Sequence, residues 1–256
     1  MTTHTPLLNG RVALVTGASR GIGAATARLL ARHGATVGVN YRHSEPQARQ
    51  VIDAIEAEGG TAVALRADVR DERQVAAIRD ELHAVAGPVD TVVLNAVTGS
   101  AFTPTPLLDQ DESVILDKTT DQLRMCLTPL RVLVPGMARI GGGSVTAIGS
   151  EVARAPAAGM GAVSIAKSAV AAAMRTLALE LGPAGVRVNV VAPGMVLTDL
   201  STFIPEQDKA AMADATPLRR NATPDDVAGA VLMMVSGNAG FVTGAHLPVQ
   251  GGLRIE

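Results

Sequence analysis

The feature that most constrains the fold is the glycine-rich segment 16–23, which reads Thr-Gly-Ala-Ser-Arg-Gly-Ile-Gly. It directly follows an apolar run and opens a helical pattern. Gly17 can make a tight turn, Gly21 lets backbone approach a pyrophosphate, and Gly23 allows the helix to pack on the strand. The N-terminus of that helix offers free N–H groups and a positive dipole end. The segment therefore predicts a dinucleotide-binding turn at the amino end of an α/β domain.

The rest of the chain alternates short apolar runs with helical patterns. Runs bounded by Gly, Pro or polar residues predict strands at 12–16, 36–40, 62–65, 89–94, 144–148, 186–192 and 246–249. Helical periodicity predicts helices at 22–33, 46–58, 72–86, 121–140, 162–181 and 224–235, the last capped by Thr223 with Pro224 in its first turn. Such alternation requires right-handed crossovers and a parallel sheet covered on both faces.

We therefore predict an α/β fold: a single-domain, Rossmann-like, doubly wound parallel sheet of about seven strands flanked by helices. No linker, low-complexity tract or tandem repeat divides the chain. We expect one domain over residues 1–256, with a flexible N-terminus at 1–9.

Two long segments, 97–120 and 194–221, interrupt the alternation. Both follow the carboxyl ends of predicted strands, where open α/β sheets bind ligands. Connections of this length in a compact domain are usually functional or mobile. We expect both to enclose the substrate, with 194–221 as a lid; the alternative is two variable surface loops.

Composition excludes several classes of partner. The net charge is −2 and the sequence has no basic stripe, so we expect no nucleic-acid partner. No apolar run reaches the length of a membrane span, and the first nine residues carry no apolar signal region, so we expect a cytoplasmic protein. The single cysteine, Cys126, excludes an intramolecular disulfide and is interpreted as a core residue. The five histidines lack ligand spacing, so we expect no metal site.

The spacing Thr-Gly-x-x-x-Gly-x-Gly resembles that of the short-chain dehydrogenase/reductase family. The resemblance runs from about Arg11 to Leu253 and is strongest to the bacterial ketoacyl-carrier-protein reductase branch. The further matching segments are Asp68-Val69, Leu94-Asn95-Ala96-Val97, Ser150, Lys167, Pro193-Gly194-Met195-Val196-Leu197-Thr198, Gly244 and Gly251-Gly252. The implied cofactor-binding residues are Gly17, Ser19, Arg20, Gly21, Ile22, Gly23, Asn40, Tyr41, Arg42, Asp68, Val69, Asn95, Ala96, Lys167, Pro193, Gly194, Val196 and Thr198.

The residues after the second predicted strand bear on the choice of cofactor. A dehydrogenase for NAD usually presents an acid there to bind the ribose hydroxyls, but this chain has Asn40, Tyr41 and Arg42. Arg20 in the glycine segment and Arg42 could together hold a 2′-phosphate. We therefore predict NADP(H) rather than NAD(H); the alternative is two solvated surface arginines.

The resemblance implies an active set of Asn, Ser, Tyr and Lys, and the chain departs from it at the tyrosine. Ser150 and Lys167 match the serine and the lysine. Val163 lies four residues before Lys167, on the same helical face, where the proton-donating tyrosine should be. The only tyrosine of the chain, Tyr41, belongs at the adenosine end of the site. Ser164 points roughly 100° away around the helix.

The proton relay is altered as well. Family spacing puts Gln122 at the asparagine position, and Val97 replaces the glycine expected near the nicotinamide. Losing a general acid typically costs a factor of about 10²–10⁴ in rate. Proximity to a bound hydride donor still contributes.

Three hypotheses follow. The first is an NADP(H)-dependent oxidoreductase that reduces an activated ketone, quinone or conjugated carbonyl in specialised, polyketide-like metabolism, with a proton from the substrate or from water held by Ser150 and Lys167. The second is a non-redox enzyme that uses the same pocket for cyclisation, dehydration or isomerisation. The third is a catalytically inactive NADP(H)-binding partner or sensor. In the first two the ligand is a small molecule.

The helix after Gly161 carries small residues that would let another helix approach closely, namely Ala166, Ala169, Ala171, Ala172 and Ala173. Together with the helix from Asp121 it resembles the dimerising pair of the family. We predict a homodimer or homotetramer; the alternative is that this face is buried within one subunit.

Overall fold

Seven parallel strands form one sheet in the order β3-β2-β1-β4-β5-β6-β7 in the computed structural model, which describes residues 6–98 and 103–254. The strands are β1 (Val12–Val15), β2 (Thr36–Tyr41), β3 (Thr61–Arg66), β4 (Thr91–Leu94), β5 (Gly143–Ile148), β6 (Val186–Pro193) and β7 (His246–Val249). The strand order reverses between β1 and β4, and ligands bind at such switch points in doubly wound sheets. The predicted fold class and strand number are confirmed.

Over the described residues, seven α-helices connect and cover the strands. They are α1 (Gly21–Arg32), α2 (Glu45–Ala57), α3 (Glu72–Ala86), α4 (Glu112–Arg139), α5 (Gly161–Leu181), α6 (Glu206–Ala215) and α7 (Pro224–Val235). The predicted cap of α7 is present, since the Thr223 side chain accepts a hydrogen bond from the backbone N–H of Asp226.

The two faces of the sheet carry separate cores. Helices α1, α2 and α7 bury their apolar stripes on one face and make up the first core, to which Leu8 also belongs. Helices α4 and α5 cover the other face, with part of α3, and make up the second core. Leu8 lies within the expected flexible segment 1–9 yet is 1% exposed, and residues 1–5 lie outside the described residues.

The predicted loop 97–120 is wrong over its second half, because α4 begins at Glu112. Asp111 caps this helix by accepting a hydrogen bond from the backbone N–H of Ser113. Its first turns bury little apolar surface in the subunit, so hydrophobic periodicity did not reveal them.

The segment 194–221 is not a plain loop. It contains a 3₁₀ turn at Asp199–Ser201 and the helix α6. No residue of α6 is buried, so no apolar stripe marked it in the sequence.

The stretch Gly161–Ala184, which includes α5, meets the length and composition of a membrane span, contrary to the expectation from the sequence. Its apolar character has another physical reason. This helix covers the sheet beside α4, and Val170 and Met174 are each 1% exposed in the second core.

Candidate functional site

The glycine turn between β1 and α1 has the backbone that its sequence predicts. Gly17 and Gly21 have φ angles of +62° and +53°, a region that L side chains rarely adopt. A Cβ on Gly23 would lie 2.5 Å from the carbonyl oxygen of Gly17 and 2.5 Å from Nδ2 of Asn95. Gly23 therefore lets α1 pack directly on the turn.

Two buried or half-buried asparagines hold this turn in place. Asn95, after β4, donates from Nδ2 to the carbonyl oxygens of Thr16 and Gly17, both at 3.0 Å. Asn40, at the end of β2, accepts from the N–H of Gly17 at 3.2 Å and donates to the carbonyl oxygens of Leu65 and Ala67. The side chains of both residues thus hold the backbone of the glycine turn in place.

Thr16 joins the turn to the end of β4. Its hydroxyl accepts hydrogen bonds from the backbone N–H groups of Asn95 and Ala96 at 2.9 and 3.0 Å and lies 3.3 Å from the carbonyl oxygen of Val93. The Thr16 hydroxyl therefore ties the glycine turn to the strand on the other side of the switch point.

Two arginines lie near the end of β2, each with partners of its own. Arg20 donates from Nη2 to Ser44 Oγ at 2.5 Å, and its Nη1 lies 3.8 Å from Asp199 Oδ2. Nε of Arg42 lies 3.2 Å from Asp68 Oδ2. The two side chains are 50% and 51% exposed, so their guanidinium groups remain accessible to an anion.

The side chain of Tyr41 is buried in the first core rather than exposed at this edge. Tyr41 lies on β2, three strands from β5, or roughly 14 Å at about 4.8 Å per strand. That separation keeps its phenol away from Ser150, as the sequence predicted. Ile22 packs against the same core, and Val69 is buried in a third cluster against which Ala96 packs.

Asp68 belongs to an ion-pair bridge that the sequence did not reveal. Arg70 donates to both carboxylate oxygens of Asp68, at 3.0 and 2.8 Å, and from Nη1 to Asp121 of α4 at 2.8 Å. The hydrogen bonds from Arg70 lower the pKa of Asp68 to about 2. The bridge fixes the loop after β3 to α4, one residue before Gln122.

Ser150 and Lys167 both approach the end of β5. Nζ of Lys167 donates to the carbonyl oxygen of Ile148 at 2.9 Å, and burial lowers the pKa of its ammonium. Ser150, two residues after Ile148, caps a 3₁₀ turn at Glu151–Ala153, with its hydroxyl 3.4 Å from the N–H of Val152. Half-buried Val163 lies one turn before Lys167 on α5.

Glu151 is a site neighbour that the sequence reasoning missed. It is 8% exposed, and its Oε1 lies 3.6 Å from Nε2 of His246 on β7. The contact joins the turn that carries Ser150 to the far edge strand. Its position directly after the predicted serine was the one signal in the sequence that could have identified it.

Helix α4 supplies the opposite wall. Gln122 is 6% exposed, with Nε2 3.8 Å from the sulfur of Met125. One turn later Cys126 is also buried, and burial raises its thiol pKa to about 11. At neutral pH that thiol stays protonated, in keeping with its interpretation as a core residue.

The turn after β6 reaches the glycine turn. The N–H of Gly194 donates to the carbonyl oxygen of Val249 at 3.0 Å, and buried Val196 pairs with Ala222 in an isolated bridge. A Cβ on Gly21 would lie 3.5 Å from the methyl group of Thr198. The segment 193–198 therefore closes over the start of α1.

Two segments flank the mouth of the site. The loop 103–107 packs on the start of α5, since the N–H of Thr105 donates to the carbonyl oxygen of Gly159 and Leu107 contacts Gly161. On the other side, Leu197, Leu200 and Phe203 are each more than two-fifths exposed. That side of the mouth therefore exposes three large apolar side chains.

The residues present fit a dinucleotide phosphate. Arg20, the N-cap of α1, makes no side-chain cap hydrogen bond, so its side chain leaves the first N–H groups of the helix free to bind an anion. Gly17 and Gly21 carry no Cβ that would block the approach. Within the described residues no group of three or more His, Cys, Asp or Glu could hold a metal ion.

Comparisons with known proteins agree with this geometry. A family model described as enoyl-(acyl carrier protein) reductase matches residues 17–254. Cis-4-hydroxycyclohexanecarboxylate dehydrogenase of Sinomonas cyclohexanicum is 37% identical over 247 residues, covering 94% of this chain and 96% of that protein. The 3-oxoacyl-(acyl-carrier-protein) reductase of Staphylococcus aureus is 31% identical over 241 residues, covering 94% and 97%.

A solved structure of 7α-hydroxysteroid dehydrogenase, complexed with NADH and 7-oxo glycochenodeoxycholic acid, matches with a TM-score of 0.90 at 32% identity. The match covers 98% of this chain and 97% of that chain. The family model, these relatives and the common architecture together show that the chain belongs to the short-chain dehydrogenase/reductase family.

Proposed function

We propose that the protein is an NADPH-dependent reductase that converts a carbonyl to an alcohol without a tyrosine proton. The observation that carries the proposal is the placement of Ser150 and Lys167 together at the end of β5. Lys167 is held by the carbonyl oxygen of Ile148 beside Ser150, although Val163 replaces the tyrosine. When bound, the dihydronicotinamide supplies a hydride. Ser150 would polarise the carbonyl as the hydride adds, and Lys167 would hold the nicotinamide ribose.

The substrate is proposed to be an activated ketone, a quinone or a conjugated carbonyl of specialised, polyketide-like metabolism. Such carbonyls accept a hydride with less help from a general acid. The exposed apolar residues of the segment 194–221 favour a hydrophobic, cyclic skeleton. Two relatives act on or bind cyclic compounds, according to their names. In this proposal 194–221 closes over the substrate as a lid.

The activity is tested by incubating the protein with NADPH and a panel of quinones, conjugated ketones and cyclic ketones. We expect loss of absorbance at the dihydronicotinamide band with at least one class. Ser150→Ala should reduce kcat by about 10²–10³, as expected for the loss of one carbonyl-stabilising donor. Failure of every activated carbonyl to oxidise the cofactor would contradict the proposal.

The NADP(H) preference rests on Arg20 and Arg42, which lie half-exposed at the end of β2 with no acid between Asn40 and Ser44. We expect calorimetry to give tighter binding of NADPH than of NADH. Arg42→Ala should weaken NADPH binding by about tenfold or more, because it removes a charge-assisted contact. NADH affinity serves as the matched control and should change little; tighter NADH binding by the wild type would overturn the preference.

Val163 also favours a second candidate, a non-redox enzyme that uses the same pocket for cyclisation, dehydration or isomerisation. Product formed by protein stripped of nucleotide would support it.

The protein is further proposed to be cytoplasmic and to act as a homodimer or homotetramer. Ala172 of α5 is exposed, although Ala166 and Ala171 are buried within the subunit. A monomer mass by light scattering would refute the assembly.

A further inference from the structure

The ends of β2 and β3 bring two charged side chains together. Tyr41 at the end of β2 pairs with Arg66 at the end of β3, and the N–H of Ala67 donates to the carbonyl oxygen of Tyr41 at 2.9 Å. Directly after this pair the chain continues from β2 into Arg42 and from β3 towards Asp68. Nε of Arg42 lies 3.2 Å from Oδ2 of Asp68. The register of two neighbouring strands therefore places an ion pair at the carboxyl edge of the sheet.

The carboxylate of Asp68 faces arginine donors at both of its oxygens. Oδ1 accepts from the backbone N–H and from Nε of Arg70, both at 3.0 Å. Oδ2 accepts from Nη2 of Arg70 at 2.8 Å and lies against Nε of Arg42. A carboxylate offers about four lone-pair sites, so these four donors use its capacity. The resemblance places Asp68 among the residues that contact adenine, but the amino group of a base would have to displace an arginine there.

The contact with Asp68 leaves the outer end of Arg42 available. The N–H donors of a guanidinium form a rigid planar fork, with one at Nε and the others at the two terminal nitrogens. Because Asp68 lies against Nε, the terminal nitrogens remain for a second partner, and parallel N–H groups of this kind match phosphate oxygens. The Arg42 side chain is 51% exposed and that of Asp68 only 20%. A shielded carboxylate thus steadies an accessible cation.

The charge of Asp68 is balanced on the side away from Arg42. Arg70 pairs with Asp68 and also donates from Nη1 to Asp121 of α4 at 2.8 Å. The row Arg42–Asp68–Arg70–Asp121 carries no net charge, and Arg42 is its most exposed member, so an approaching anion meets a cation first. The hydrogen bonds from Arg70 lower the pKa of Asp68 to about 2, so its carboxylate stays ionised at neutral pH.

We propose that Asp68 is a positioning residue that holds Arg42 ready for the 2′-phosphate of NADPH, in place of a contact with the base. This inference rests on the proposed binding of that phosphate by Arg20 and Arg42. Asp68 keeps the guanidinium in one orientation, so less side-chain freedom is lost when the phosphate binds. The preference for NADPH is therefore shared between the loops that follow β2 and β3.

Calorimetry with NADPH and NADH tests this role without turnover. The two cofactors carry the same base and differ in the 2′-phosphate, so the ratio of their dissociation constants reports the contribution of that phosphate. Asp68→Asn should weaken NADPH binding by about two- to fivefold, the size of one ion pair near the surface, and leave NADH binding unchanged. Asp80→Asn removes an exposed carboxylate of α3 and is the matched control, which should change neither affinity.

A double variant identifies the route of the effect. In an Arg42→Ala background, Asp68→Asn should no longer change the ratio, because no guanidinium remains for Asp68 to hold. An equal loss of NADPH and NADH affinity in Asp68→Asn would indicate a contact with the base and overturn the proposal. Tighter NADPH binding in Asp68→Asn would show that the carboxylate repels the phosphate, which also overturns it.

Arg42→Lys provides a test that leaves the contacts between Asp68, Arg70 and Asp121 intact, so it does not depend on the stability of Asp68→Asn. Lysine keeps the positive charge but has no Nε to lie against the carboxylate. NADPH binding should weaken by at least about twofold and NADH binding should not change. Wild-type selectivity in Arg42→Lys would mean that charge alone is sufficient, and the proposal fails. A wild type that binds NADH more tightly instead refutes the proposed cofactor preference on which the inference rests.

Discussion

At the scale of single residues, the cofactor end and the reaction end of the site differ in how completely the family pattern is kept. The glycine turn is backed by Asn40 and Asn95 and leaves no space for a side chain at Gly23. At the reaction end Val163 lies four residues before Lys167, where the resemblance implies a tyrosine, and Nζ of Lys167 donates to the carbonyl oxygen of Ile148. We therefore propose that the protein retains the residues for binding and orientation and takes its proton from another source.

The close contacts of Gly23 predict the effect of a single methyl group. Gly23→Ala would bring a Cβ within 2.5 Å of the Gly17 carbonyl oxygen, so the turn must shift. We expect a loss of about 1–3 kcal/mol in the free energy of unfolding and at least tenfold weaker NADPH binding. Gly229→Ala on α7 is the matched control, since its Cβ would meet nothing within 4 Å. Equal behaviour of the two variants would disprove the role assigned to Gly23.

At the scale of elements, the sequence predicted what local patterns encode. The strand runs, the glycine turn and the capped start of α7 follow from periodicity and turn chemistry. The first turns of α4 and the whole of α6 bury little or nothing within the subunit, so their helical character left no apolar stripe. Tertiary contacts could not be predicted from the sequence for another reason. Arg70 and Asp121, for example, lie 51 residues apart, and only the fold brings them together.

The Asp68–Arg70–Asp121 bridge predicts how stability depends on pH. Asp68 has a pKa of about 2 in the folded protein against an ordinary 3.8, so its carboxylate favours folding above the ordinary value. That contribution, about 2 kcal/mol, is lost as pH falls from about 5 towards 2.

Urea unfolding at pH 7 and at pH 3 measures this loss. Asp68→Asn should lose less stability between the two pH values than the wild type does. Asp208→Asn, at an exposed position on α6, should retain the wild-type dependence. Equal pH dependence in wild type and Asp68→Asn would show that the bridge does not act through this carboxylate.

At the scale of the whole molecule, one sheet with a reversal between β1 and β4 brings the separate motifs to a single edge. The turns after β1, β4, β5 and β6 carry the glycine turn, Asn95, Ser150 and Thr198 respectively. Members of the short-chain dehydrogenase/reductase family act on small molecules and are commonly oligomeric. The long α4 and α5, which pack against each other, remain our proposal for the subunit contact.

The central claim is that this chain transfers a hydride from NADPH to a carbonyl although it lacks the family tyrosine. Its most direct test is a single turnover of a ketone substrate with NADPH deuterated at C4, in separate samples for each face of the ring, followed by mass spectrometry of the alcohol product. We predict one deuterium at the carbinol carbon from one of the two labelled cofactors. Product that forms without deuterium from either cofactor would contradict the account.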